Sequence, residues 1–168
     1  MRETMTDGFP LEDEMLRFWR ARSDYLGVLG RLHGARGETA RATDCLTRRA
    51  ALAHHLRDAG RQLDALAGLS DVAIAAGRPG DSLWALQRAA PLASDAGVDE
   101  LAAALGRALP AWAGALPARE VLGALGAILG DAPSGALRAA LAGALRALGD
   151  PARAAELESP PPSEVEAR

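Results

Sequence analysis

The chain has 168 residues and a formal charge of -3 from 19 basic and 22 acidic groups; 49% of its residues are hydrophobic but only 4% aromatic. That is enough for a single domain with a sizeable core, and the mixed charge gives no basic stripe of the kind nucleic acid requires. The lone cysteine, Cys45, excludes an internal disulfide and fits a reducing, cytoplasmic setting.

Alanine, with 39 residues, and leucine dominate the apolar set. Both are strong helix formers, whereas strands favour β-branched and aromatic residues, so the composition predicts an all-α protein. Every basic side chain is Arg, and Lys and Asn are absent. Their codons are A/T-rich, so this usage is expected of a GC-rich, bacterial genome.

Residues 1–10 contain no apolar run and are expected to be a flexible N-terminus without a signal peptide. LEDEMLRFWRARSDYLGVLG, residues 11–30, predicts one long first helix, with Phe18 and Trp19 covering the next element. Glu12, Asp13 and Glu14 on it complement a helix N-terminus. Gly37, Gly77, Gly114 and Gly149 then punctuate the chain at intervals of 40, 37 and 35 residues. Each follows one apolar helical stretch and precedes another, so helices are expected to pair antiparallel about these four glycines. GETARATDCL, GRPGDSLWAL, GALPAREVL and GDPARAAEL read as variants of one turn and helix start. Pro79, Pro117 and Pro151 suit a first helical turn, and Asp81 and Asp150 can cap nearby amides. Leu29, Leu69, Leu105 and Leu141 occupy equivalent places, each followed by a small residue (Gly30, Ser70, Gly106, Ala142) that lets a neighbouring helix approach. The stretch ALPAWAGALPA, residues 108–118, is too short to cross a bilayer, which takes ~20 residues. SPPPSEVEAR cannot continue a helix, so 11–157 is expected to be one domain and 158–168 a disordered tail.

A two-helix unit cannot bury its apolar face alone, so repeated units stack and share a core. The residues Leu29, Gly30, Gly37, Ala42 and Leu46, and then Leu69, Ser70, Gly77, Ser82, Leu86 and Ala89, resemble the tetratricopeptide-repeat family. The resemblance spans roughly residues 23 to 157 and is most evident from 23 to 97. It implies a right-handed α-solenoid of about four antiparallel helix pairs, the third and fourth degenerate. It also implies a groove lined by the first helix of each pair: Gly27, Arg31 and Gly34, then Asp64, Ala67, Asp71 and Ile74, then Ala103, Arg107 and Pro110, then Ala139, Gly143 and Arg146. The family's clamp for peptide C-termini uses Lys and Asn, which this chain lacks, so a groove of small residues with scattered Arg and Asp is expected to take an amphipathic helix instead. The same small residues equally suit plain close packing.

No constellation for catalysis stands out. His54 and His55 are adjacent, so on a helix they point about 100° apart and cannot chelate one metal. His33 falls where the family packs an aromatic, and Cys45 is expected to be a buried structural thiol. HExxH, Walker-type and GxSxG patterns are absent. No enzyme activity, cofactor or metal site is expected. Trp84 lies about 200° around its helix from Ser82, away from the stripe Ser82, Leu86, Ala89. It is therefore either an exposed binding anchor or packed on a loop. The leading expectation is an adaptor that binds a protein segment through Trp84, Arg31, Asp64, Asp71, Ile74, Arg107 and Arg146. A regulatory or sensory module binding a small ligand or signalling protein is the alternative. A homo-oligomer, or membership of a larger complex, stays open.

Overall fold

The computed structural model describes residues 10–93, 97–130, 139, 142, 143, 145, 146 and 149–158. Among these the regular structure is helical, with no strand: α1 (Pro10–Ala35), α2 (Thr39–His55), α3 (Ala59–Ala75), α4 (Pro79–Ala89) with a 3-10 turn Ala90–Leu92, α5 (Val98–Ala115), α6 (Ala118–Gly130) and α7 (Pro151–Glu158). From α1 to α6 consecutive helices pack on one another. In addition α3 touches α1 and α5, and α4 touches α6. Of the flexible N-terminus expected over 1–10 and the disordered tail expected over 158–168, Pro10 begins α1 and Glu158 ends α7; residues 1–9 and 159–168 lie outside the described residues.

The turns repeat more often than the glycines do. Gly37 donates its N–H to the Gly34 carbonyl at 3.0 Å and Glu38 donates to His33 at 2.9 Å. The same pair of bonds, 5→2 and 6→1, recurs at Arg57/Asp58, Gly77/Arg78 and Gly149/Asp150. This is the Schellman motif, and it needs a left-handed residue at its centre. Gly37, Gly77 and Gly149 supply φ of 72°, 68° and 80°, and Arg57 supplies 54°. The residue after the left-handed one is at once the N-cap of the next helix, as Glu38, Asp58 and Arg78 are. Helices therefore follow with almost no loop between them. Gly114 does not make such a turn: it lies inside α5, and the chain reverses at Leu116–Pro117 with Leu116 extended at ψ 151°. Pro79 and Pro151 do open their helices. Asp81 is not a cap; it sits in the first turn of α4 and pairs with Arg78 at 3.0 Å.

The main core lies in α3–α6 and is built from Leu63, Leu66, Leu83, Leu86, Leu101, Leu105, Leu109, Trp112, Val121, Leu125 and Ile128 with intervening alanines. Trp112 is fully enclosed, and its indole N–H donates to Ser82 Oγ at 3.1 Å; Ser82 in turn shares a 2.7 Å hydrogen bond with Ser70. A three-helix polar chain is thus satisfied inside an apolar core. Smaller clusters join Ala42, Leu46 and Val72, and Ala142, Leu145 and Ala154.

α1 is built differently. Its buried residues are Ser23, Gly27 and Gly30, while Met15, Phe18, Tyr25, Val28 and Leu32 face solvent. Phe18 therefore does not cover the next element; Trp19 lies over α2, lining a depression with Leu26, Ala51, Leu52 and Leu56. At Gly30 the α1 backbone is so close to α2 that a Cβ would stand 2.7 Å from Leu46 Cγ. Gly106, its counterpart on α5, has open space around it and serves no close approach.

Candidate interaction site

Two surfaces hold the residues singled out in the sequence. The first runs across α1, α3 and α5. Arg31 on α1 lies 3.5 Å from Asp64 on α3, and Arg49, reaching over from α2, hydrogen-bonds the same carboxylate. Arg107 on α5 grips Asp71 on α3 through two bonds of 3.0 Å. Four expected groove residues are thus brought together, paired with each other. The Asp71 bond and neighbouring Glu100 hold the Arg107 guanidinium charged more firmly than usual. Partial burial, together with the Asp64 carboxylate beside it, raises Glu100 above the usual carboxylate range.

Arg49 was not legible as part of this surface. It is buried, and its guanidinium occupies the space a Cβ on Gly27 would take. Gly27 and Ala67 are buried packing positions, and Ile74 is a half-buried residue at the edge of the main core. Ala103 and Pro110 are exposed on α5, and Ala139, Gly143 and Arg146 are exposed towards the C-terminal end. Between α1 and α3 lies a cleft of about 250 Å³, lined by Gly30, Arg31, Gly34, Leu46, Gly68, Asp71 and Val72.

A third set of charges ties α1 to α3. Arg61 binds Asp24 through Nε at 2.9 Å and Nη2 at 3.0 Å, and it also binds the N-cap Asp58 at 2.5 Å. The Arg61 hydrogen bond holds Asp24 below the ordinary carboxylate range. At Asp58 burial pulls upward, but the Arg61 N–H and guanidinium overcome it and lower the pKa.

The second surface is the groove between α2 and α4, floored by α3. Trp84 stands on its wall, 54% exposed, with the Arg88 guanidinium 4.8 Å from its ring centre. The ring is therefore not packed on a loop. On one side it borders a depression of about 530 Å³ with Thr43, Thr47, Leu69, Ala73 and Asp81. On the other it borders one of about 360 Å³ with Thr47, Ala50, His54, Leu66 and Leu69. The two depressions share Thr47, Leu69 and Trp84, so the indole borders both.

The remaining chemical candidates are scattered. His54 and His55 are exposed, with ring centres 6.1 Å apart. His33 is half-buried and bonds Glu38 Oε2 through Nδ1 at 2.7 Å, so it ties the first turn rather than filling an aromatic slot. Cys45 is half-buried, not enclosed as expected. Among the described residues no group of three or more His, Cys, Asp or Glu is placed to hold a metal, and no helix is long and apolar enough to cross a membrane. Comparison of the chain with models of known protein families, with curated proteins and with solved structures finds no match.

Proposed function

We propose that the chain is a non-enzymatic interaction scaffold: a tetratricopeptide-like array of antiparallel helix pairs that binds a segment of a partner protein along the α2–α4 groove. The observation that carries this is Trp84, a large exposed aromatic bordering two neighbouring depressions, with Leu69 lining both and Leu66 one of them. Trp is enriched among residues that dominate binding energy, and an apolar floor under an aromatic anchor suits an amphipathic helix. The surface across α1, α3 and α5 is less suited, because Asp71 and Arg107 already hold each other through two hydrogen bonds. Stacking of the helix pairs into a solenoid is part of the proposal and is supported by the contacts of α3 with α1 and α5 and of α4 with α6; its right hand is what the tetratricopeptide resemblance implies.

The test is Trp84→Ala. Proteins captured by the wild type and identified by mass spectrometry should be bound about thirtyfold more weakly by the variant, the ~2 kcal/mol of a hot-spot truncation. Its melting temperature should be unchanged. An unchanged affinity would remove the groove from the interface, and a large fall in melting temperature would assign Trp84 to the fold.

A further inference from the structure

We infer that α1 pairs through its outward face with α1 of a second copy of this chain, antiparallel about a two-fold axis. Phe18, Ala21, Tyr25, Val28, Leu32 and Ala35 follow one another at alternating spacings of three and four, and all are exposed. The four large ones are 58%, 61%, 55% and 42% exposed. At about 100° per residue this stripe lies on the side of the helix opposite the buried Ser23, Gly27 and Gly30, of which the two glycines lie against Arg49 and Leu46 of α2. A 3-4 spacing of apolar residues is the seam of a coiled coil. It is independent of the Trp84 groove, so it stands or falls separately from the scaffold reading.

The seam itself selects the occupant. Set antiparallel with Tyr25 opposite Val28 of the second copy, the other layers follow as Ala21 opposite Leu32 and Phe18 opposite Ala35. Every layer then matches a large residue with a smaller one, and each occurs twice by symmetry, as an isologous interface requires. Parallel pairing would stack Phe18 on Phe18 and Ala21 on Ala21, alternating crowding with voids. Charge agrees with shape. The positions flanking the antiparallel seam bring Asp24 of one copy beside Arg31 of the other, again twice. Parallel pairing would instead oppose Arg17 with Arg22 and Arg31 with Arg36, like against like. Asp24 and Arg31 also contact Arg61 and Asp64 within the chain, yet both side chains remain more than half exposed.

Analytical ultracentrifugation of the whole chain over a range of concentrations tests this. The wild type should show a reversible monomer–dimer equilibrium. Tyr25→Glu and, separately, Ala21→Arg should each shift it to monomer with unchanged far-UV circular dichroism. If one variant loses helicity, the other and the orientation measurement decide. For orientation, a spin label at Arg36→Cys in a Cys45→Ser background should lie roughly 28 Å from its counterpart along the antiparallel helices, taking ~1.5 Å per residue; parallel pairing would bring the labels side by side. A chain that stays monomeric at high concentration, a dimer that survives both folded variants, or adjacent labels would each overturn the inference. So would a monomeric chain whose stripe is covered by a different protein.

Discussion

The indole N–H of Trp112 on α5 donates to Ser82 Oγ on α4 at 3.1 Å, inside a site from which water is excluded. Ser82 also bonds Ser70 on α3, so it is the one member of the chain that serves two partners. Ser82→Ala should therefore cost about 1–3 kcal/mol, because it strands a buried donor, whereas Ser70→Ala should cost less since Trp112 keeps its acceptor. Urea unfolding of the two variants checks the order.

Gly30 and Gly106 hold equivalent places in the sequence and unequal ones in space. Alanine at Gly30 would push a methyl into Leu46, and overpacking of about 1–3 kcal/mol should outweigh the ~1 kcal/mol gained in helix propensity. Alanine at Gly106 meets nothing and should stabilise by about 0.5–1 kcal/mol. Thermal melts should move in opposite directions.

Among the described residues, Arg57 is the non-glycine residue that performs a glycine's task, at φ 54°. Arg57→Gly should raise stability by about 0.5–1 kcal/mol by removing Cβ strain, net of the greater freedom of glycine in the unfolded chain. Arg57→Pro should be strongly destabilising, since it fixes φ near -65° and deletes the N–H that bonds His54.

Acid should loosen the α1–α3 tie. Asp24 and Asp58 have depressed pKa values in the folded state, so the stability they contribute is present above their unfolded value of about 4 and is lost as pH falls below it. Denaturant midpoints measured from neutral pH down to pH ~3 should fall less steeply for Arg61→Ala than for the wild type. Equal slopes would mean that the Arg61 contacts are too well solvated to matter.

The helical class was legible because Ala, Leu and glycine punctuation speak locally. The turn at Arg57 was not, because nothing in its chemistry announces a left-handed residue; the Schellman bonds come from the backbone. Gly114 misled for the opposite reason: a glycine inside a helix looks like one that ends it. The angular offset of Trp84 set it off the core stripe but left it open between solvent and a loop, a choice made only by the neighbouring helices. The pairing of Arg107 with Asp71 and of Arg61 with Asp24 could not be read, since the partners are 36 and 37 residues apart and meet only once three helices have packed. Trp112 was hidden in an Ala-rich run whose depth only the neighbouring helices set.

Glu38, Asp58 and Arg78 each end one turn and begin the next helix, which leaves the chain no slack. One residue inserted at such a junction would break a pair of backbone bonds, and one inserted within a helix would turn everything beyond it by about 100°. Length variation in this protein should therefore arrive as whole helix-and-turn units, or at Leu116–Pro117, and a scan of single-residue insertions should show sharp intolerance from α1 to α4.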